Sequence, residues 1–406
     1  MSKVTMPKKI VIWSNDHEAV IWIMAILLIA GSVNIFSSTF VMAEDQGSPP
    51  YFYLLKHLIT MGAGGFLFLI CYWVDYHRWR SVLVPITVVI VFMLVYVLVF
   101  GTAVNGSKRW IYIGSSSVQP AEFAKICSVM IESYYLSFCI QKQAEIAILA
   151  PQHLALVLLA GLVEMEPDMG TMMIILGVPF LMLFISGLTW AKVKRLLIVI
   201  AAAVAALCAY QPYRLQRIQV MLDPWADAQG TGYQTVQSLT AIGSGGFWGM
   251  GLGEGLAKYA YLPEAHTDFA FAVFCQENGF LFAVGLIIIY ATLGCFGVRI
   301  ASKAHDAYGQ ILAGGLVILI CVQATANMMM VAGFLPVVGV PLPFISYGGC
   351  SLLVSMAALG ILVNINRYSL AQKRKMERLI ERNLAMQQRQ PLQKPTGKQP
   401  RLTRIK

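Results

Sequence analysis

The chain has 406 residues, of which 58% are hydrophobic and 12% charged, with 30 Lys and Arg against 20 Asp and Glu for a formal net charge of +10. A soluble domain needs about twice that charged share to cover its surface, so soluble globular and intrinsically disordered classes are excluded. The composition is that of a polytopic membrane protein. Unpaired backbone groups are not tolerated in lipid, and the apolar runs are too long for barrel strands, so the fold class is all-α.

Crossing about 30 Å of hydrocarbon takes roughly 20 apolar residues as a helix. Ten such stretches follow one another at 18–41, 53–74, 81–101, 119–140, 150–166, 170–187, 196–212, 269–297, 308–333 and 344–365. The first is too long for a secretory signal and Val41-Met-Ala43 is a marginal cleavage site, so it reads as an uncleaved span. The N-terminus and the loops on its side carry 11 Lys and Arg, among them Lys8, Arg78, Lys192 and Arg299. The opposite loops carry five: Lys108, Arg109, Arg214, Arg217 and Lys258. The positive-inside rule then puts both termini in the cytoplasm and the long 213–268 segment, between spans seven and eight, outside.

The outer loop before span four contains Lys108-Arg109-Trp110, which either clamps a phosphate or anchors a helix at the interface. Span four opens with Gln119-Pro-Ala-Glu122-Phe-Ala-Lys125. Glu122 and Lys125 share a helix face and can pair, as structural partners or as the lining of a polar path. Spans five and six are separated only by Pro167 and Asp168, where Asp168 either caps the next helix or faces a substrate.

The 213–268 segment ends in Pro263-Glu-Ala-His266-Thr-Asp268, an acid and an imidazole at the edge of span eight. Ionisable groups at such a boundary mark substrate chemistry. Gln323 and Asn327 lie on one face of span nine. Before span ten, Pro341-Leu-Pro-Phe-Ile-Ser346-Tyr-Gly-Gly349 implies irregular backbone, tolerated at that depth only around a protein-lined cavity. Together these suggest a hydrated groove opening outward.

Residues 367–406 hold 12 Lys and Arg against Glu377 and Glu381, which is +10, so the other 366 residues balance at 18 against 18. This reads as a disordered basic tail attracted to anionic headgroups; it has no aromatic or motif signal for nucleic acid. No H-E-x-x-H, G-x-S-x-G or C-x-x-C is present, and the glycines at 249, 251, 253 and 255 lack the setting of a phosphate loop. With no nucleotide module, an enzyme of this kind needs a substrate that carries its own activation.

The segments Lys108–Gly114, Gln119–Glu122, Glu166–Gly170, Gly232-Tyr-Gln234, Ala241–Gly246, Pro263–Asp268 and Pro341–Gly349 together resemble the SEDS family, whose members include FtsW, RodA and SpoVE. The resemblance covers roughly residues 18–367. It implies a transmembrane catalytic domain over 1–366 and a peptidoglycan glycosyltransferase that polymerises lipid II at the outer face of the cytoplasmic membrane. Asp268 matches the family's essential acid and would be the general base. Lys108, Arg109, Trp110, Gln119, Glu122, Lys125, Asp168, Gln234, His266 and Ser346 would bind substrate. A divalent cation (Mg or Mn) is the expected helper, and a class B penicillin-binding transpeptidase with other division or elongation proteins the expected company. Pro263-Glu-Ala-His266 leans toward the FtsW and SpoVE branch, whereas Ala121, Val338, Cys350 and Gln276 depart from the usual residues. A lipid flippase and a non-catalytic scaffold are the competing readings.

Overall fold

The computed structural model describes residues 13, 15–104, 107–114, 116–210 and 212–389. Each expected span is a helix: α1 Asp16–Asp45, α2 Phe52–Trp73, α3 Tyr76–Phe100, α4 Pro120–Lys142, α5 Pro151–Met165, α6 Met169–Ile185 and α7 Trp190–Tyr210. The long segment follows, folded into α8 Pro212–Leu222, a 3-10 turn Pro224–Asp227, α9 Tyr233–Ser244 and a π turn Ala257–Tyr261. The bundle closes with α10 Ala270–Ser302, α11 Ala307–Val331 and α12 Gly349–Arg389. Between α3 and α4 stand two small antiparallel hairpins, β1 Ala103–Val104 with β2 Ser107–Lys108, and β3 Ile111–Ile113 with β4 Ser116–Val118.

Seven of the described helices are long and apolar enough to cross a membrane alone, and the chain is a polytopic membrane protein. With 15 and 17 residues, α5 and α6 reach only about 22 and 26 Å, short of the hydrocarbon thickness. The turn between them is therefore recessed, which brings its acids down into the bundle. The outer ring inverts the usual soluble pattern: Phe66, Trp73, Val84 and Phe92 are exposed large side chains that suit acyl chains. By contrast, α4 is an inner helix that buries Glu122, Lys125, Ser128, Glu132 and Ser133.

The expected boundary between bundle and disordered tail does not fall at residue 366. Helix α12 continues through it to Arg389. Residues 371–386 are rich in Ala, Leu, Met, Lys, Arg, Gln and Glu, all strong helix formers, so nothing stops the helix where the bilayer ends. Residues 390–406 of the expected tail lie outside the described residues.

One break is built into α10. Gly279 has φ 78 and ψ −178 in the middle of the helix. The glycine-rich stretch 245–251 fits into the gap, where the amides of Met250 and Gly251 donate to the Gln276 and Glu277 carbonyls and Phe280 N–H donates to the Gly246 carbonyl. A side chain at 279 would meet Gly249 N at 2.2 Å, so the glycine is obligatory. Just above the break, Lys258 and Glu277 form a buried ion pair at 2.7 Å. Ser37 of α1 donates to both Glu277 oxygens at 2.7 and 2.6 Å, and Lys258 also lies over the Phe40 ring at 4.8 Å.

The irregular segment between α11 and α12 packs directly on α1. A Cβ on Gly31 would stand 1.9 Å from the Phe344 carbonyl oxygen, whereas a Cβ on Gly65 meets nothing within 4 Å. Alanine is favoured over glycine in helices by about 1 kcal/mol, but overpacking costs about 1–3. Gly31→Ala is therefore expected to lower the melting temperature of the purified protein, while Gly65→Ala leaves it equal or higher. A Gly31→Ala protein that melts at the parental temperature would show that this contact is not tight.

Candidate active site

A cavity of about 1210 Å³ opens among the recessed turn, the first hairpin, α8 and the α11–α12 segment. Its wall contains Arg109, Trp110, Gln119, Glu122, Arg214, Arg217, Gln234, Glu264, Thr267 and Asp268, backed by Pro336–Gly339 and Tyr347–Ser351.

Asp268 ends a tight turn in which the amides of Thr267 and Phe269 donate to the Glu264 carbonyl. The turn is bolted from outside: Tyr347 N–H donates to the His266 carbonyl at 2.8 Å, and Asn327 Nδ2 donates to the Asp268 and Val340 carbonyls at 2.7 Å each. Gly339, at φ +69, leaves its ideal Cβ position 3.3 Å from Asp268 Oδ2. Any side chain there would crowd the carboxylate. Burial raises the Asp268 pKa to about 7, helped by the Glu264 and Asp168 charges and opposed by Arg109. A carboxylate with that pKa is poised as a base near neutrality.

The recessed turn is held by Arg109, whose guanidinium donates to the Glu166 carbonyl at 3.1 Å and to the Pro167 carbonyl, 4.0 Å from the Asp168 carboxylate. Asp168 accepts the Thr171 amide at 3.1 Å, which is the capping role, and also accepts Gln119 Nε2 at 3.3 Å. Glu166 opens the Glu166–Gly170 segment but is not among the candidate site residues. It is fully buried, and neither of its carboxylate oxygens has a hydrogen-bond partner among the described residues. Nothing in its spacing distinguishes it from Glu164, three residues from Pro167.

Lys125 lies behind Glu122, 2.8 Å from it and 2.9 Å from Gln323 Oε1, and is almost wholly buried. The pairing expected from the i,i+3 spacing is therefore present, but only Glu122 faces the cavity. Lys108, Asp168, His266 and Ser346 also stand outside the cavity wall. The His266 ring lies near those of Tyr53 and Tyr347, with centroids 6.4 and 5.9 Å away, and burial lowers its pKa while Glu264 opposes. Ser346 Oγ accepts the Leu342 amide at 2.9 Å and closes the irregular turn. Gln323 and Asn327 do not line a groove as expected. Gln323 Nε2 donates to the Pro341 carbonyl at 3.0 Å, so both side chains brace backbone.

Three arginines border the cavity. Arg214 pairs with Glu164, and Arg217 donates to the Val337 carbonyl. No three His, Cys, Asp or Glu side chains gather with metal-ligand spacing among the described residues. Among the described residues no ready-made set of protein ligands holds a divalent cation by itself.

The fold and cavity are those of a polytopic membrane protein whose helices enclose an arginine-rimmed, acid-bearing cavity. Residues 18–371 match the model of the FtsW/RodA/SpoVE cell cycle protein family, and the chain belongs to that family. It is 37% identical over 364 residues to a probable peptidoglycan glycosyltransferase FtsW of Trichlorobacter lovleyi, covering 86% of this chain and 93% of that one. It is 36% identical over 353 residues to the stage V sporulation protein E of Bacillus subtilis, covering 86% and 96%. Among solved structures it resembles a chain from a peptidoglycan synthase complex that coordinates polymerization and crosslinking, at 24% identity and TM-score 0.72, covering 88% and 99%. It also resembles Thermus thermophilus RodA, at 24% identity and TM-score 0.62, covering 86% and 95%.

Proposed function

We propose that this protein is a peptidoglycan glycosyltransferase that polymerises lipid II, most like the FtsW branch and serving septal wall synthesis. The observation that carries this reading is Asp268, an acid with a pKa of about 7 in a cavity shared with three arginines. A lipid-diphosphate donor stores the activation. Asp268 takes the proton of the acceptor sugar hydroxyl as its oxygen bonds to the anomeric carbon, and the C–O bond to the diphosphate breaks. Arg109, Arg214 and Arg217 offset the charge that develops on the leaving diphosphate. Glu122 and Gln234 face the sugar, while Met173, Val204 and Ile218 give the prenyl chain an apolar side. Lys125, Asp168, His266 and Ser346 hold these groups in place, and Lys108 extends the hairpin. A Mg or Mn ion would arrive with the diphosphate, and no step is assigned to it.

Purified protein given labelled lipid II is expected to form glycan strands. Movement of lipid II across proteoliposome membranes without polymer would establish the flippase reading instead. That alternative is weaker because the ionisable groups of the cavity gather at one end of the bundle rather than at its midplane.

The orientation belongs to the same proposal: cytoplasmic membrane, both termini in the cytoplasm and the cavity outside, with a class B penicillin-binding transpeptidase as partner. A phosphatase that is active only outside the cytoplasm should be inactive when fused after Lys406, and a tag at Gly253 should react with an impermeant reagent. An active C-terminal phosphatase fusion would invert the assignment.

A further inference from the structure

The cytoplasmic-side end of α12 has an apolar face that no other described residue covers. The helix leaves the bundle at Leu370: Arg367 lies 3.8 Å over the Tyr72 ring and donates to its carbonyl at 3.1 Å, and Ser369 Oγ accepts the His305 amide at 3.0 Å. Beyond that point Met376, Leu379, Ile380, Leu384 and Met386 are 46–57% exposed. At 100° per residue they fall on one arc about 160° wide, which also holds Asn383 and, at its start, Gln372 and Lys373. Lys375, Arg378 and Arg382 lie across from it or on its border. Residues 371–386 carry five Lys and Arg against two Glu, and 387–406 add six more with no acid.

A helix of this length standing alone is marginal in water, and an apolar arc of this width does not stay wet. We propose that residues 371–386 form an amphipathic anchor that lies on the anionic surface of the membrane the bundle spans. The charge selects that surface, since an anionic leaflet attracts a basic polar face while the apolar arc enters the acyl boundary. Distance favours it too. Met376 is six residues past Leu370, about 9 Å along the axis, so one bend near 370 brings the arc onto headgroups that are always within reach. A second copy fits less well. In a parallel pair Lys375 on the flank would face Ile380 of the other helix, and no acid would meet it.

The test is amide hydrogen exchange on the full-length protein in nanodiscs of phosphatidylcholine, with or without phosphatidylglycerol. Peptides covering 371–386 are expected to exchange at least about tenfold more slowly in the anionic discs, and the protection should vanish in high salt while the bundle is unchanged. A Leu379→Gln/Ile380→Gln/Leu384→Gln protein keeps every charge and should lose the protection. Equal exchange in both discs would overturn the proposal. So would salt-independent protection in phosphatidylcholine that accompanies a doubled particle mass, which would assign the face to a second copy, or protection that needs an added cytosolic protein.

Discussion

Asp268→Asn is expected to lower glycan polymerisation by at least about 10²-fold, because it keeps the size and hydrogen bonding of the side chain but removes the proton acceptor. Expression and melting temperature should stay near the parental values, since the turn is fixed through the backbone carbonyls of His266 and Asp268 rather than through the carboxylate. The pH profile is the sharper readout. The base works deprotonated, and burial holds its pKa at about 7, so turnover should rise as pH increases through about 7 and fall away on the acid side. Glu264, which lines the same cavity, should tolerate Gln far better. A purified Asp268→Asn protein that polymerised lipid II at the parental rate, or a parental profile flat from pH 5 to 8, would remove Asp268 from the mechanism.

Breaking the Glu122–Lys125 pair has the second large effect. Both side chains are buried, and removing one partner of a buried pair costs about 3–5 kcal/mol because the other charge is left uncompensated. Glu122→Gln and Lys125→Met should each lower the melting temperature as well as activity. The exchanged protein, Glu122→Lys with Lys125→Glu, restores opposite charges and should recover part of the stability. It should not recover activity: a lysine then faces the cavity where an acid stood, and a carboxylate meets Gln323 Oε1 in place of the ammonium donor. Near-parental turnover by the exchanged protein would reduce the pair to scaffolding.

The spans were legible because hydrocarbon imposes its thickness on composition, and every expected span falls on a helix, although α12 runs on from its expected end at 365 to Arg389. The cavity was legible in part, since Arg109, Trp110, Gln119, Glu122, Gln234 and Asp268 all line it. The division of labour was not. Lys125, Asp168, His266 and Ser346 sit one layer behind, because facing or backing a cavity is decided by neighbouring helices rather than by spacing along one of them. Lys258 reads from the sequence only as a loop charge; its partner Glu277 is 19 residues away, beyond the Glu264–Asp268 turn, and no local pattern joins them. Glu166 was hidden by its ordinary setting in a turn, since burial is what makes it unusual. The helical continuation past residue 366 was misread because basic charge was taken as a sign of disorder, although the same residues favour helix.

The break at Gly279 divides α10 into two rods with different allegiances. The lower rod belongs to the membrane. The upper one, Ala270–Asn278, is tied by Glu277 to α1 and Lys258 and by its backbone to the glycine-rich stretch, and it begins two residues after Asp268. The carboxylate is thus braced from two directions, by Asn327 and Tyr347 at its own turn and, through the upper rod, by the segment 245–261, whose Phe247, Trp248, Leu252 and Tyr261 are exposed. Through the upper rod that segment and the Asp268 turn form one hydrogen-bonded unit, which Gly279 sets apart from the lower rod.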